Sequence, residues 1–421
     1  MDLEINQKKH QIMKKEISQN INQKMKAEMD QEKTRKIEED MNQEMAQEIE
    51  KVMNQEKASI KENTNKKKAL IAMSGGIDSS VAVCLMKNAG YDCMGITMKL
   101  YDNQDVRDDA TKTCCSISDV ADARAVAQSF DIPYYVLNFS EDFDKEVIQR
   151  FVHTYMAGGT PNPCIECNRY MKFAKLMHRM YELGYDYVVT GHYARVEKDE
   201  MTGRFLLKKG LDESKDQSYV LYNLTQEQLA HTLFPLGNYH KTEIRQMAQD
   251  MHFVNANKPD SQDICFVPDG DYASFIERYC EKEFPHGEFV NKEGEVLGEH
   301  KGLIRYTTGQ RKGLGLSLKE PMYVLKKDME KNQVILGKNE DLFTTTLVAN
   351  DINWISIEKL TEPMQCKAKT RYKQKEADAL LEPLEDGKVR LTFYEPQRAI
   401  TAGQAVVFYD KDVVIGGGKI L

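Results

Sequence analysis

The chain has no run of about 20 apolar residues, which excludes a membrane-spanning helix. Its start, MDLEINQKKHQIMKKE, lacks the apolar core of a secretory signal, and it is too rich in acids for a mitochondrial transit peptide. The expectation is a cytoplasmic protein. A large excess of positive charge is also missing. The balance is 58 basic against 66 acidic residues, net −8, so bulk electrostatics cannot recruit nucleic acid and any RNA must be held by local basic patches. Residues 1–66 contain no glycine, proline, cysteine or aromatic residue, so nothing in them can do chemistry. Their apolar residues recur every four positions (Met13, Ile17, Ile21, Met25, Met29), a step that drifts off one helix face and sustains no heptad. The segment reads as a solvated, partly helical extension, with a partner-binding helix as the alternative. Nine cysteines are present instead. In a reducing compartment cysteines are more often catalytic, metal-binding or buried than joined in structural disulfides.

From Lys67 the texture changes. Apolar runs of strand type (Ala69–Met73, Cys93–Leu100, Tyr134–Asn138, Tyr187–Thr190) alternate with helical stretches near Val81–Gly90, Asp119–Phe130, Phe143–Met156 and Tyr170–Leu183. That alternation implies a parallel sheet covered on both faces. Beyond about residue 265 short strands separated by glycines and charged turns take over, such as Tyr323–Lys326, Gln333–Leu336, Met364–Tyr372, Val389–Phe393 and Ala405–Tyr409. They predict an all-β region ending in a barrel. The expected organisation is an extension over 1–66, an α/β domain over 67–264, a small β-rich domain over 265–345 and a β-barrel over 346–421.

The strongest local signal is a strand followed by Ser74-Gly75-Gly76-Ile77-Asp78-Ser79-Ser80 and then a helix. Glycines let the backbone approach an anion, and the helix presents free N–H groups and the positive end of its dipole. It is not a Walker A loop, because no Gly-Lys-Ser/Thr follows. Asp78 would repel phosphate unless it holds Mg²⁺ or caps the helix. The segment resembles the pyrophosphatase-loop (PP-loop) motif of ATP-pyrophosphatases, which split ATP between its α and β phosphates. The resemblance implies an adenine nucleotide alpha hydrolase-like domain that uses ATP with Mg²⁺. Nucleotide contacts would fall at Ala72, Met73, Ser74, Gly75, Gly76, Ile77, Asp78 and Ser79. Met98, at a strand end where the sheet's crevice opens, contacts adenine by the resemblance or else packs in the core. Gly191, in Thr190-Gly-His-Tyr193, ends another strand beside the same crevice. His192 is not assigned acid–base work.

Pro161-Asn162-Pro163 makes a stiff turn ahead of Cys164-Ile-Glu-Cys167, with a helix expected from Asn168 or Tyr170. A thiol at a helix N-terminus has a lowered pKa. Cys265, in Ser261-Gln-Asp-Ile-Cys-Phe266, is a third candidate. Zinc, redox and persulfide chemistry all use C-x-x-C. Cys114-Cys115 are adjacent, a poor chelating pair. Cys84, Cys93, Cys280 and Cys366 read as packing residues.

With SGGIDSS, TPNP-x-x-x-CN, TGHYA, Lys215-Asp-Gln-Ser-Tyr219, Ser261-x-x-x-Cys265-Phe266, Tyr306-Thr-Thr-Gly-Gln-Arg-Lys-Gly-Leu-Gly315 and Lys369-Thr-Arg-Tyr372 in this order, the sequence from about residue 68 onward resembles the tRNA-specific 2-thiouridylase (MnmA) family. The resemblance implies ATP-dependent replacement of oxygen by sulfur at C2 of a wobble uridine, with Cys167 and Cys265 catalytic, Cys265 carrying the persulfide, and Cys167 either attacking it to release sulfide or forming a disulfide with Cys265 as sulfur is delivered. A cysteine desulfurase or sulfur-carrier protein would supply the sulfur. tRNA contacts would fall at Asn162, Pro163, Cys164, His192, Lys215, Asp216, Gln217, Arg371, Tyr372 and Gln404. Many family members carry Asp where this chain has Cys164. Three cysteines then allow a second possibility, an iron–sulfur site on Cys164, Cys167 and Cys265, which is disfavoured against a persulfide pair. The basic stretch Lys367, Lys369, Arg371, Lys373, Lys375 alternates strictly, predicting one strand face that is either solvated or set against RNA phosphates. Competing functions are an ammonia-using ATP-pyrophosphatase synthetase and a nucleotide-gated RNA-binding protein without turnover.

Overall fold

The structure, a computed structural model, describes residues 66–101, 117–260 and 264–421. The expectations for residues 1–65, for Cys114-Cys115 and for Ser261 fall outside the described residues.

Five parallel strands form the first sheet, in the order Tyr134–Asn138, Asp92–Lys99, Lys68–Ala72, Tyr187–Val189, Thr232–Leu233. Strand order reverses direction between Lys68–Ala72 and Tyr187–Val189, so the ligand crevice is expected outside the carboxyl ends of those two strands. Their central residues (Leu70, Ile71, Val188, Val189) are fully buried, as a sheet covered on both faces requires. One apolar layer holds Val81, Val83, Val126 and Ile244, and the other holds Phe143, Phe151, Met171 and Phe173.

A four-stranded sheet follows, in the order Tyr323–Asp328, Gln333–Gly337, Gly287–Val290, Val296–His300, closed over Phe289, Tyr306, Val324 and Leu336. The last domain is a closed antiparallel barrel. Phe343–Trp354 pairs with Val389–Arg398, which continues through Ala377–Pro383, Met364–Lys369, Ala405–Asp410 and Val413–Ile420, and the last strand pairs back with the first. Closure removes the exposed edges a sheet of this size would otherwise present. The hairpin Ala194–Lys198/Phe205–Lys209 of the first domain joins the barrel sheet through Lys208 and Val413.

Two sequence expectations need correction. The strand starting at Met364 ends at Lys369, not Tyr372, so the alternating basic residues do not share one face. Arg371 turns inward instead and donates to the carbonyls of Thr308 (3.0 Å) and Ala399 (2.9 Å) and to Thr401 Oγ1 (2.8 Å). Three acceptors at a domain junction outweigh the period-2 pattern of the sequence. Lys367 pairs with Asp378 on the neighbouring strand (2.8 Å). The helix expected from Asn168 or Tyr170 begins earlier, at Pro163. Asn162 is its N-cap, accepting from Cys164 N (3.2 Å), and Pro163 fills the first helical position, where its missing N–H costs nothing. The prolines therefore start a helix as well as stiffen a turn.

Candidate active site

The loop after strand Lys68–Ala72 enters helix Ile77–Asn88 at Gly76, its N-cap, with no side chain capping the turn. Gly75 has φ +72°, and a Cβ there would lie 2.3 Å from the carbonyl oxygen of Asp119. Glycine is required at this point by both conformation and space. A Cβ on Gly76 would meet only Ser74 Oγ at 3.5 Å, so that side of the loop is open. Ser79 and Ser80 both donate to Gly76 O (3.0 Å each), and Ser79 Oγ accepts from Ser74 N (3.3 Å). The hydroxyls thus hold the loop's shape. Met73 and Ile77 bury their side chains, Ala72 is half-buried, and Met98 is 9% exposed within the apolar layer. Met73 and Ile77 therefore have mainly backbone to offer a ligand.

Gly191 closes the crevice from the neighbouring strand. A Cβ there would sit 2.9 Å from the backbone carbon of Asp78, so the two loops touch at the switch point. Asp78 neither caps the helix nor stands alone. Tyr193 OH donates to its Oδ1 (2.8 Å), and Lys241 Nζ lies 2.7 and 2.8 Å from its two oxygens. Lys241 also meets Asp260 (3.0 Å), which Lys215 (2.8 Å) and Arg245 (2.9 Å) hold as well. Burial would push the Asp260 carboxyl up, but Lys215 and Lys241 outweigh it and bring it down to about 2. On the far side Asn255 Nδ2 donates to Gly75 O and Ser80 Oγ (2.9 Å each). Lys258 bonds Gly75 O and pairs with Asp119 and Asp122, and those pairs raise its pKa against the downward pull of burial. The segment 255–260 is thus a strap laid across the loop.

The cysteines divide by environment. Cys84, Cys93 and Cys366 are buried, and burial pushes their thiols up, to about 11 for Cys93 and about 12 for Cys366, leaving them protonated and inert. Cys280 is half-buried. Cys164 is exposed in the first turn of its helix, and Cys167 and Cys265 are half-buried. Cys167 opens a wider, π-type stretch, Cys167–Lys175, anchored by Asn168 Nδ2 on Val220 O (2.9 Å). Cys265 is held by Tyr101 OH on its carbonyl (2.9 Å) and by the neighbouring Phe266, which packs against Phe143, Phe151 and Phe275. Cys167 and Cys265, 98 positions apart, pack against one apolar cluster.

The residues expected to meet tRNA converge, but most of their polar groups are engaged within the protein. Gln404 donates to Thr160 O (2.7 Å) and so braces the turn before Cys164. Asp216 is buried, accepting from Gly210 N and from Ser218. Gln217 Oε1 accepts from Tyr193 N (2.9 Å). His192 is buried against Phe173 and Phe234, bonded to Thr190, and burial holds its pKa well below the usual value; it is a neutral packing group. The Tyr372 phenol is pushed up to about 12 by burial, then by Asp216 and Cys164. Pro163 is buried, Asn162 is the cap described above, and Lys215 stays partly exposed beside Asp260. Between the central sheet and the barrel, Lys301, Arg305 and Arg371 line a cleft of about 600 Å³ with Thr307, Thr308 and Gln310. Sequence reasoning missed Lys241, Asn255, Lys258 and Asp260 as parts of the nucleotide loop. No motif marks them, and they lie far from it in the chain. Tyr193 stood inside a flagged motif without a role.

Among the described residues no three His, Cys, Asp or Glu side chains are gathered to hold a metal ion. No described helix is long and apolar enough to cross a membrane.

Family models match in three successive blocks: a tRNA methyl transferase HUP domain over residues 67–269, a tRNA methyl transferase PRC-barrel domain over 273–338 and an aminomethyltransferase beta-barrel domain over 344–420. The chain is 52% identical over 357 residues to a tRNA-specific 2-thiouridylase MnmA of Acetivibrio thermocellus, covering 85% of this chain and 99% of that protein. A tRNA-specific 2-thiouridylase MnmA of Clostridioides difficile is 51% identical over 354 residues, 84% of this chain and 98% of that one. Among solved structures, a 4-thiouridine synthetase in complex with RNA and ATP overlaps half of each chain at 20% identity and a TM-score of 0.32.

Proposed function

On the premise that the chain belongs to the tRNA-specific 2-thiouridylase family, we propose that it converts a wobble uridine of tRNA to 2-thiouridine in the cytoplasm, consuming ATP and a persulfide sulfur. The observation that carries the reading is the packing of Cys167 and Cys265 on the apolar cluster beneath the sheet whose crevice holds the SGG loop.

A uracil carbonyl oxygen is a poor leaving group. Attack of O2 on the α phosphorus of ATP expels pyrophosphate, which the open side of Gly76 and the helix N-terminus would receive. AMP on O2 is then a competent leaving group. The terminal sulfur of a Cys265 persulfide attacks C2. Cys167 thiolate attacks the Cys265 sulfur, and the S–S bond breaks toward the base. AMP departs with the former uracil oxygen, leaving 2-thiouridine and a Cys167–Cys265 disulfide that an external thiol must reduce. Magnesium would be carried in by the phosphates of ATP; both oxygens of Asp78 are held by Lys241 and are not assigned to it. No step is routed through iron, since among the described residues no three His, Cys, Asp or Glu side chains are gathered to hold a metal ion. In the cleft between the central sheet and the barrel the exposed Lys301 supports phosphate contact with the RNA, whereas Arg305 is paired with Glu277 and Arg371 is held by Thr308, Ala399 and Thr401. A cysteine desulfurase or a sulfur-carrier protein fits as donor.

The test is tRNA incubated with ATP, Mg²⁺ and a persulfide donor and scored for 2-thiouridine by mass spectrometry of the digested RNA. Ammonia-dependent product would favour the synthetase reading. ATP-dependent RNA binding without thiolation would favour the binder. Two variants probe the periphery. Cys164 is exposed, so Cys164→Asp should thiolate within about threefold of wild type, under 1 kcal/mol of barrier. The first of the three family models begins at residue 67, so deletion of residues 1–66 should change kcat by less than about tenfold, about 1.4 kcal/mol.

A further inference from the structure

Asp78 presents an electrostatic problem that the ATP reading leaves unsolved. It lies one residue inside the helix whose N-terminus must attract polyphosphate, so its carboxylate competes for the same field. It does not cap the helix, and a third of its side chain is exposed.

The compensating charge is Lys241, 163 positions away in the chain. This lysine is 7% exposed. Its backbone N donates to Asp212 Oδ2 (3.0 Å), fixing the start of helix Lys241–Asp250. The ammonium has three donors, and three carboxylate oxygens surround it: both of Asp78, at 2.7 and 2.8 Å, and one of Asp260, at 3.0 Å. Asp260 has two further cationic partners, Lys215 and Arg245, whereas Asp78 has Lys241 on both of its oxygens. Tyr193 completes the arrangement, its ring 5.6 Å from the ammonium and its hydroxyl on Asp78.

We propose that Lys241 is a positioning residue for the nucleotide reaction: its ammonium neutralises and orients Asp78 so that the SGG loop can accept the triphosphate of ATP. The proposal rests on the ATP reading above and adds a residue to it. Without the ammonium, the Asp78 carboxylate faces the phosphates uncompensated.

Binding of ATP and of adenosine to the full chain separates this role from a structural one, since adenosine has no phosphate to repel. Lys241→Gln keeps a donor group, one atom shorter and without charge, and Lys241→Met is the second neutral variant should the first fold poorly. Both are expected to weaken ATP binding at least about tenfold while leaving adenosine within about twofold, and Lys241→Arg to keep ATP within about threefold. If wild type binds ATP and the neutral variants bind it equally well, or lose adenosine in parallel, the role of Lys241 is wrong. If wild type itself binds no ATP, the ATP reading fails first.

Discussion

Cys265→Ser should bind ATP like wild type and yield no 2-thiouridine when sulfur arrives from a persulfide donor. A hydroxyl cannot carry the sulfur, so the loss should be at least about 1000-fold, about 4 kcal/mol of barrier. Cys167→Ser should fail as severely, with a different signature. Cys265 would still accept sulfur, and a Cys265-bound persulfide should accumulate because nothing resolves it. Intact-protein mass spectrometry reads that extra sulfur. Both residues are half-buried at the surface of the apolar cluster, so serine at either should leave the fold intact. Full thiolation by either variant, with free sulfide excluded from the assay, would overturn the assigned roles.

Gly75→Ala should be the most damaging single change in the nucleotide loop. The residue has φ +72°, and a methyl group would meet the Asp119 carbonyl oxygen at 2.3 Å. Left-handed strain and a clash against backbone together cost about 2–5 kcal/mol, so both the melting midpoint and ATP affinity should fall. Gly76→Ala separates the two effects. That residue has φ −90°, and a methyl group would meet nothing closer than Ser74 Oγ at 3.5 Å. Its melting midpoint should stay near wild type while ATP binding weakens, because the methyl group occupies the side kept for phosphate. Calorimetric melting and nucleotide titration of the two variants check this. Equal stability losses in both would contradict the geometry.

Features set by local chemistry were legible in the sequence. The strand Tyr134–Asn138 was placed with its observed ends, and the strand–SGG–helix unit was apparent from two glycines and an apolar run. The terminal barrel followed from short strands and turn residues. Features set by long-range contact were not legible. One local feature was concealed too: the helix that carries Cys164 starts at Pro163 because Asn162, two positions before Cys164, accepts from its amide, a cap that a turn reading of two prolines hides. Arg371 leaves its strand because acceptors wait on Thr308, Ala399 and Thr401, in two other parts of the chain. The partner of Asp78 could not be found by spacing at all, since Lys241 lies in a helix with no motif of its own. His192 shows the opposite case. It sits beside the crevice, yet its ring is a buried packing element bonded to Thr190.

The most direct test of the chemistry follows one oxygen atom. A tRNA whose wobble uridine carries ¹⁸O at C2 is incubated with the full chain, ATP, Mg²⁺ and a persulfide donor. Adenylation of O2 predicts that each 2-thiouridine formed is matched by one AMP containing the label, with unlabelled pyrophosphate. Label in inorganic phosphate, or thiolation accompanied by ADP in place of AMP, would contradict the account.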